Sequence, residues 1–247
     1  MSISIALICE GVTDPPTVCP LADRTILAGV DWLRELADEI DTHRHYRGFR
    51  PTDPYMTWFE IDNLSRAHGV KEFGHFDGLP LHRDGRNVRR ALALLTLHAP
   101  EEAPVEAIIF FRDGDREYED RREAILRVRE KTTLRMPVVV GVANRMRECW
   151  VISGFEPAEE SEEVRLQAEH ARVGFDPRFR SHELTDTNDA DDRSPKRVLR
   201  SLTGDDPDRE RRCVGQTPLP LLRTRGERTG LNEFLDDLAT RLIEAFR

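Results

Sequence analysis

Acidic residues follow three apolar runs of this 247-residue chain, and their spacing suits a divalent metal site. The acids are Glu10 after the first run, Asp113 and Asp115 after the second, and Glu148 a few residues past the third. Mg²⁺ and Mn²⁺ prefer oxygen ligands, and Mg²⁺ binds through few carboxylates together with water and substrate phosphates. Two such ions about 4 Å apart can stabilise the attacking and leaving oxygens of a phosphodiester displacement. The pattern therefore indicates chemistry on a phosphate ester.

The three apolar runs have the length and composition of buried strands. They are ISIALI (3–8), VEAIIFF (105–111) and PVVVGVA (137–143). Segments with helical spacing separate them, among them 86–98 and 116–131. Strands that alternate with helices predict an α/β fold with a mostly parallel sheet flanked by helices. Because the carboxyl ends of parallel strands share one edge of the sheet, the acids are expected to meet there.

Each acid also has a purely structural interpretation. Asp14, in E10-G-V-T-D14, precedes two prolines and can be the N-cap of a helix. The sequence D113-G-D115 is common in turns, and Glu148 can be a solvated helix residue. Glu10 is harder to explain in this way, because a carboxylate beside a buried strand is costly unless it has a partner or a function. Specificity lies in the combination, in which Asp113 and Asp115 are expected to point the same way from an extended segment.

The remaining segments complete the predicted organisation. Residues 1–155 are expected to form the α/β core, and 156–247 a polar extension packed on the same domain and ending in an amphipathic helix. The local predictions are a helix over much of 18–40, a loop at 42–54, a strand at 55–61, a loop at 69–82, irregular structure at 156–212 with a short helix at 195–202, and a helix at 231–246.

Two of these motifs carry a resemblance to a known family. The sequence E10-G-V-T-D14 after the first strand, with D113-G-D115 after a later one, resembles the TOPRIM domains of topoisomerases, primases and OLD-type nucleases. E148-C-W150 and S194-P-K-R197 are similar to motifs of small stand-alone bacterial TOPRIM-like proteins encoded beside ATPases in antiviral loci. The chain has no Walker A motif, so an ATPase would be a separate polypeptide.

The resemblance implies a Mg²⁺- or Mn²⁺-dependent nuclease that cuts DNA or RNA, with a partner ATPase in an anti-phage system. It implies the following roles: Glu10 as metal ligand or general acid/base, Asp14, Asp113 and Asp115 as metal ligands, and Glu148 as a residue that completes the site. Lys196 would stabilise charge on the transition-state phosphate, although an exposed lysine at a helix start is the alternative.

Charge and composition limit the partners. The net charge of −9 excludes a uniformly basic nucleic-acid-binding protein. Residues 193–228 hold ten basic and five acidic side chains, so this tract carries +5 and the rest of the chain −14. The tract is either a phosphate-contacting surface or an ordinary mixed-charge surface. Four cysteines without metal or disulfide spacing predict a reducing cytoplasm, and no apolar run is long enough to predict a membrane partner.

Two other functions fit parts of the pattern. The chain can be a non-catalytic accessory subunit that binds an ATPase, or forms a homo-oligomer, with its acidic edge retained for architecture. A phosphotransfer receiver or a small phosphatase also places acids at strand ends. A receiver requires a lysine after a later strand, and none follows Val138–Val142.

Overall fold

The centre of the protein is a parallel β-sheet with helices on both faces, in a computed structural model that describes residues 2–71, 74–100 and 103–247. This arrangement confirms the predicted α/β class. The strands are β1 (Ile3–Cys9), β2 (Arg44–Arg47), β3 (Met56–Thr57), β4 (His75–Phe76), β5 (Leu79–Pro80), β6 (Ala107–Asp113) and β7 (Val138–Ala143).

The helices account for most of the remaining chain. They are α1 (Pro15–Gly29), α2 (Asp31–Arg34), α3 (Ile40–His43), α4 (Glu60–Ala67), α5 (Arg83–Leu97), α6 (Tyr118–Lys131), α7 (Arg147–Ser153), α8 (Glu160–Val173), α9 (Pro177–Arg180), α10 (Pro195–Thr203), α11 (Pro207–Gln216), α12 (Leu219–Arg225) and α13 (Leu231–Arg241). Short 3₁₀ turns cover Ala37–Glu39, Ser181–Glu183 and Leu242–Phe246. No helix in the described ranges is both long enough and apolar enough to span a bilayer.

The order of the strands places β1 and β6 at the middle of the sheet. The order is β2-β1-β6-β7 with every pair parallel, and β3 continues alongside β1 past the end of β2. The chain winds outward from β1 to β2, then crosses back to form β6 on the other side of β1. In open α/β sheets, sites form outside the carboxyl ends of the strands where the winding reverses. Here that position lies between the ends of β1 and β6.

Both faces of the sheet are covered, which explains why β1, β6 and β7 are almost continuously apolar. Alternate residues of β1 enter different cores, because successive side chains of a strand point to opposite faces. Ile5 and Leu7 pack with α1 and α13, whereas Ala6 and Ile8 pack with α5 and α6.

The C-terminal region is mainly helical, so the prediction of irregular structure over 156–212 is wrong at α8, α9 and α11, whereas residues 184–194 are irregular as predicted. Three of its helices begin at a capping side chain followed directly by proline, which suits the first turn. The carboxylates of Asp176 and Asp206 accept from the backbone N–H two residues later, and Ser194 accepts from Arg197. These helices contain few apolar residues because buried ion pairs form part of their contacts with the rest of the protein. One such pair joins Arg209 and Glu162 at 2.7 Å.

Two predictions on the β2 side of the sheet are also wrong. The predicted strand 55–61 is reduced to β3, because Thr57 and Glu60 exchange hydrogen bonds across the turn that leads into α4: the Glu60 carboxylate accepts from Thr57 N at 2.6 Å, and Glu60 N donates to Thr57 Oγ1 at 3.2 Å. The predicted loop 42–54 contains β2. Arg47 in this strand is fully buried and donates to the carbonyls of Phe49 and Gly48. Because a charged residue is not expected in a buried strand, the sequence pattern did not predict β2.

The predicted loop 69–82 contains a small hairpin, β4–β5, in its described part. Asp77 and Gly78 between the strands both have positive φ, 53° and 75°, as a tight two-residue hairpin turn requires. The helix α1 begins at Pro15, directly after Asp14, as the two prolines predict; it continues through Pro20 and ends at Gly29, so the helical spacing over 18–40 corresponds to one helix only as far as Gly29.

Gly230 offers a test of how the C-terminal segment joins the sheet. Its φ is +81°, and a Cβ there would overlap the carbonyl oxygen of Val142 at the end of β7. Gly204 has a similar φ of +70° but open space around it. Gly230→Ala is therefore expected to lower the free energy of unfolding by about 2–5 kcal/mol, and the control Gly204→Ala by only about 1–2 kcal/mol. Denaturant titration measures both, and equal losses would contradict this close approach.

Candidate functional site

The first strand end holds Glu10 and Asp14 in a tight loop. The Asp14 carboxylate accepts from the backbone N–H groups of Glu10 at 2.8 Å and Gly11 at 3.0 Å, which folds the loop back on the end of β1. Asp14 lies at the N-cap position of α1, but its side chain makes no capping hydrogen bond. Burial raises the pKa of Asp14, which is 4 % exposed, and nearby Glu148 adds to the rise.

Glu10 and Asp113 meet across the gap between β1 and β6. Glu10 Oε1 accepts from the backbone N–H of Asp113 at 3.1 Å, so the two acids adjoin as expected from the strand ends. Burial raises the pKa of Glu10, and the charges of Asp115 and Asp14 raise it further, while the Arg112 guanidinium lowers it. The carboxyl of Glu10 is therefore easier to protonate than a free glutamic acid.

Asp113 is the most perturbed acid of the cluster. Burial raises its pKa well above the usual value, and the charges of Glu10, Glu148 and Asp14 act in the same direction. Its Oδ1 accepts from the backbone N–H of Arg147 at 2.7 Å, at the start of α7. Glu148, the next residue of that helix, is 9 % exposed, and its Oε2 has no hydrogen-bond partner within the described residues. Four of the predicted acids thus crowd together with little neutralisation at Asp113.

Asp115 belongs to the same edge but is oriented by a turn. The strand β6 ends at Asp113, and Asp115 has a left-handed backbone with φ +49°. Gly114 N donates to Ala143 O at 2.8 Å, and Asp115 N donates to Arg145 O at 2.7 Å, which ties the turn to the end of β7. The prediction that Asp113 and Asp115 share one extended segment is therefore wrong, because the turn intervenes.

Two arginines link the acids into a chain of alternating charge that sequence reasoning did not anticipate. Arg112 Nη1 lies 2.5 Å from Glu10 Oε1, and its Nε lies 3.3 Å from Asp84 Oδ2. Arg121 Nε lies 3.6 Å from the same oxygen of Asp84, and its Nη1 lies 3.1 Å from Asp115 Oδ2. Asp84, at the start of α5, is only 2 % exposed. It holds both guanidiniums at the rim of the acidic cluster.

The arginines have further supports that fix their positions. The Arg112 guanidinium lies over the Trp58 ring, 5.4 Å from its centroid, and Trp58 Nε1 donates to Phe111 O at 2.7 Å. Arg147 is 5 % exposed and contacts Glu210 at 3.0 Å and Glu148 at 3.5 Å. Desolvated guanidiniums with several donors are suited to binding phosphate oxygens.

The sequence contains only weak indications that Arg112 and Asp84 belong to the site. Arg112 immediately precedes D113-G-D115, and Asp84 occupies the first turn of α5 after its N-cap His82. The pairing itself depends on contacts between β6, α5 and α6, which no local pattern specifies.

The donor set suits a hard divalent cation, although the present side-chain positions do not converge. Within residues 2–71, 74–100 and 103–247, no three Asp, Glu, His or Cys side chains are arranged to hold a metal ion. The chemistry fits nevertheless: Asp113 and Glu148 are carboxylates with surplus negative charge around them, and Glu148 Oε2 is buried and unpartnered in the described chain. An ion bound to Glu10 would compete with Arg112 for the same oxygen.

Lys196 and the basic tract stand apart from this cluster. Lys196 is exposed at the start of α10, and no contact joins it to the five acids in the described structure. Several arginines of 193–228 are already paired: Arg197 with Glu169 at 2.5 Å, for example. A groove of about 960 Å³ lies at the opposite edge of the sheet, beside the amino ends of β6 and β7.

No family model, curated protein or solved structure matches this chain. What the site can do is therefore judged from its geometry. It combines crowded carboxylates of raised pKa with guanidiniums at the reversal point of a parallel sheet. Such a combination can bind a cation and an anionic oxygen side by side.

The raised pKa of Asp113 predicts an unusual pH dependence of stability. An acid with a higher pKa in the folded state than in the unfolded state favours folding when protonated, and this contribution is lost as pH rises above about 3.8, the unfolded value. In chelator-treated protein at pH 7, Asp113→Asn is expected to raise the free energy of unfolding, since Asn can still accept from Arg147 N. The gain should shrink as the pH falls towards 4.

Denaturant titration across this pH range measures the effect. Asp115→Asn is the matched control, because it also removes a carboxylate but breaks the pair with Arg121, and no stabilisation is expected. Destabilisation by Asp113→Asn at pH 7 would contradict the idea that repulsion is concentrated at Asp113.

Proposed function

We propose that this protein is a divalent-metal-dependent phosphodiester hydrolase that cuts nucleic acid. The observation that carries the proposal is the crowding of Glu10, Asp113 and Glu148 at the reversal point of the sheet, with the pKa of Asp113 raised by burial and further by its acidic neighbours. Repulsion of this kind destabilises the protein unless a bound ion or proton relieves it. A fold that keeps it at a site position is typical of function.

Asp113 and Glu148 are the residues best placed to hold Mg²⁺ or Mn²⁺, with Glu10 and Asp14 as neighbouring carboxylates. Such an ion supplies Lewis acidity and lowers the pKa of water. Asp115 stands at the rim, paired with Arg121.

The protein's own groups supply the other elements of catalysis. Arg112 and Arg121 present guanidinium donors at the rim, where they would orient a phosphodiester and stabilise charge on its oxygens. Glu10 can hold or release a proton at its carboxylate, and burial raises its pKa above the usual value of a glutamic acid. The buried Asp84 carboxylate positions Arg112 and Arg121 by pairing with the guanidinium of each.

Nucleic acid is the proposed substrate because arginine-rich rims suit repeated phosphates, and because of the TOPRIM resemblance. The same resemblance supports a role in anti-phage defence with a partner ATPase. Lys196 would contact the substrate, since it is exposed and has no ion pair in the part of the chain described here.

A non-catalytic accessory subunit is the second candidate. One observation favours it: the carboxylates of Glu10, Asp84 and Asp115 already pair with Arg112 and Arg121, which is how a purely structural ion network is built. Under this alternative the chain would bind an ATPase and would not cut nucleic acid.

The two candidates predict different results for purified protein incubated with single- and double-stranded DNA and RNA. The nuclease proposal predicts cleavage in Mg²⁺ or Mn²⁺, none in EDTA, and losses of at least about 100-fold in Glu10→Gln and Asp113→Asn. Asp120→Asn, an exposed substitution on α6, is the control that should retain activity.

Circular dichroism and thermal unfolding establish that each variant is folded. Equal cleavage by wild type, Glu10→Gln and Asp113→Asn would contradict the site. An inactive wild type that takes up no Mn²⁺ in calorimetry but copurifies with an ATPase would favour the accessory role.

A further inference from the structure

The guanidinium of Arg147 joins the acidic cluster to the C-terminal region. Arg147 is the first residue of α7, and its backbone N–H donates to Asp113 Oδ1 at 2.7 Å. Its side chain is buried and contacts residues of two other helices, α1 and α11. Because arginine stays charged in proteins, a full positive charge is enclosed directly beside the proposed metal ligands.

Three contacts fix this guanidinium. Arg147 Nη1 donates to Thr17 Oγ1 on α1 at 3.0 Å. Its Nη2 lies 3.0 Å from Glu210 Oε2 on α11 and 3.5 Å from Glu148 Oε1 on α7. The same Nη2 group therefore serves two carboxylates, and the shorter of its two bonds goes to Glu210.

This division leaves the Glu148 carboxylate weakly held. Its Oε1 has only the 3.5 Å contact with Arg147 Nη2, and its Oε2 is buried without a hydrogen-bond partner within the described residues. A buried carboxylate oxygen without a partner is costly. Glu148 is therefore able to exchange its weak contact for a cation more readily than a carboxylate in a close, two-bond pair with arginine.

Arg147 would compete with a cation for Glu148 if Glu210 were absent. A guanidinium can hold a carboxylate through two parallel N–H···O bonds, which is among the stronger ion pairs in proteins. Glu210 prevents this pairing because it takes the Nη2 group at the shorter distance. The helix α11 brings Glu210 to this position by packing against both α1 and α7.

We infer that Glu210 is a positioning residue, which keeps Arg147 from forming a close pair with Glu148 so that the Glu148 carboxylate can bind a divalent cation. The inference rests on the proposed function for the metal site. It goes further in assigning part of the control of that site to α11, which lies outside the strand ends. Glu210 acts through Arg147 and is not itself a proposed ligand.

Calorimetric titration of the EDTA-treated and dialysed full chain with Mn²⁺ tests this role, because it measures binding without cleavage. Glu210→Gln is expected to raise the Kd for Mn²⁺ about tenfold, since the released guanidinium pairs with Glu148. Arg147→Gln is expected to lower the Kd about tenfold, since the competing positive charge is removed. Asp208→Asn is the matched control: it removes the charge of an exposed aspartate on α11 that pairs with Arg211, and should change the Kd less than about twofold.

The double variant Arg147→Gln/Glu210→Gln separates positioning from a direct effect of Glu210. If Glu210 acts through Arg147, its removal has no further effect once Arg147 is gone, so the double variant should bind Mn²⁺ as tightly as Arg147→Gln. An equal loss of affinity with and without Arg147 would mean that Glu210 acts by its own charge or as a ligand, and would overturn the positioning role.

The outcomes also separate this inference from the proposed function. Wild type that binds Mn²⁺ with a Kd that Glu210→Gln leaves unchanged overturns the positioning role and leaves the metal site intact. Wild type that takes up no Mn²⁺ overturns the metal site and this inference with it. If Arg147→Gln fails to fold, the comparison of Glu210→Gln with Asp208→Asn still decides, because equal Kd values in these two variants contradict the role.

Discussion

Repulsion among carboxylates at the ends of β1 and β6 is the constraint on which the rest of the site depends. Parallel pairing of these strands brings Glu10 to the backbone N–H of Asp113, and α7 adds Glu148. Burial makes this proximity more costly, because it weakens the screening by water. Backbone N–H groups donate to the carboxylates of Asp14 and Asp113 and partly stabilise their negative charge. These donors do not remove the excess negative charge, which is why we propose a cation at this edge.

The guanidinium groups of Arg112 and Arg121 neutralise part of this negative charge. Asp84 is buried under Arg112 and Arg121 and keeps both at the rim. If Arg112 exchanged Glu10 for a phosphate oxygen, the carboxylate would be released to a metal ion at the moment when substrate arrives. Arg145 lies on the β7 side of the same edge, where its Nη1 donates to the Asp115 carbonyl, so the acids have positive side chains on two sides. This arrangement suits a polyanion that passes over a cation.

The sequence was sufficient to predict the central strands and the meeting of the acids, because strands buried on both faces are almost purely apolar and parallel strands share an edge. It was insufficient where polar contacts override the pattern. Arg47 is buried in β2 although it is charged, and Thr57 with Glu60 ends an aromatic segment that otherwise suits a strand. Asp176, Ser194 and Asp206 are each followed by proline, a pattern that indicates the start of a helix. The polar composition of the region hid this pattern, so the helices at Asp176 and Asp206 were not predicted. The pairs Arg112–Asp84 and Arg121–Asp84 follow only from tertiary packing.

Anomalous diffraction from a crystal soaked in Mn²⁺ tests directly whether a cation binds among these carboxylates. We expect a Mn²⁺ peak at the carboxyl edge of β1 and β6, about 2.1 Å from oxygens of Asp113 and at least one of Glu10 and Glu148, and no such peak in Asp113→Asn. Mn²⁺ that binds only at other surfaces, or a site that stays free of Mn²⁺ while Arg112 remains on Glu10, would contradict it.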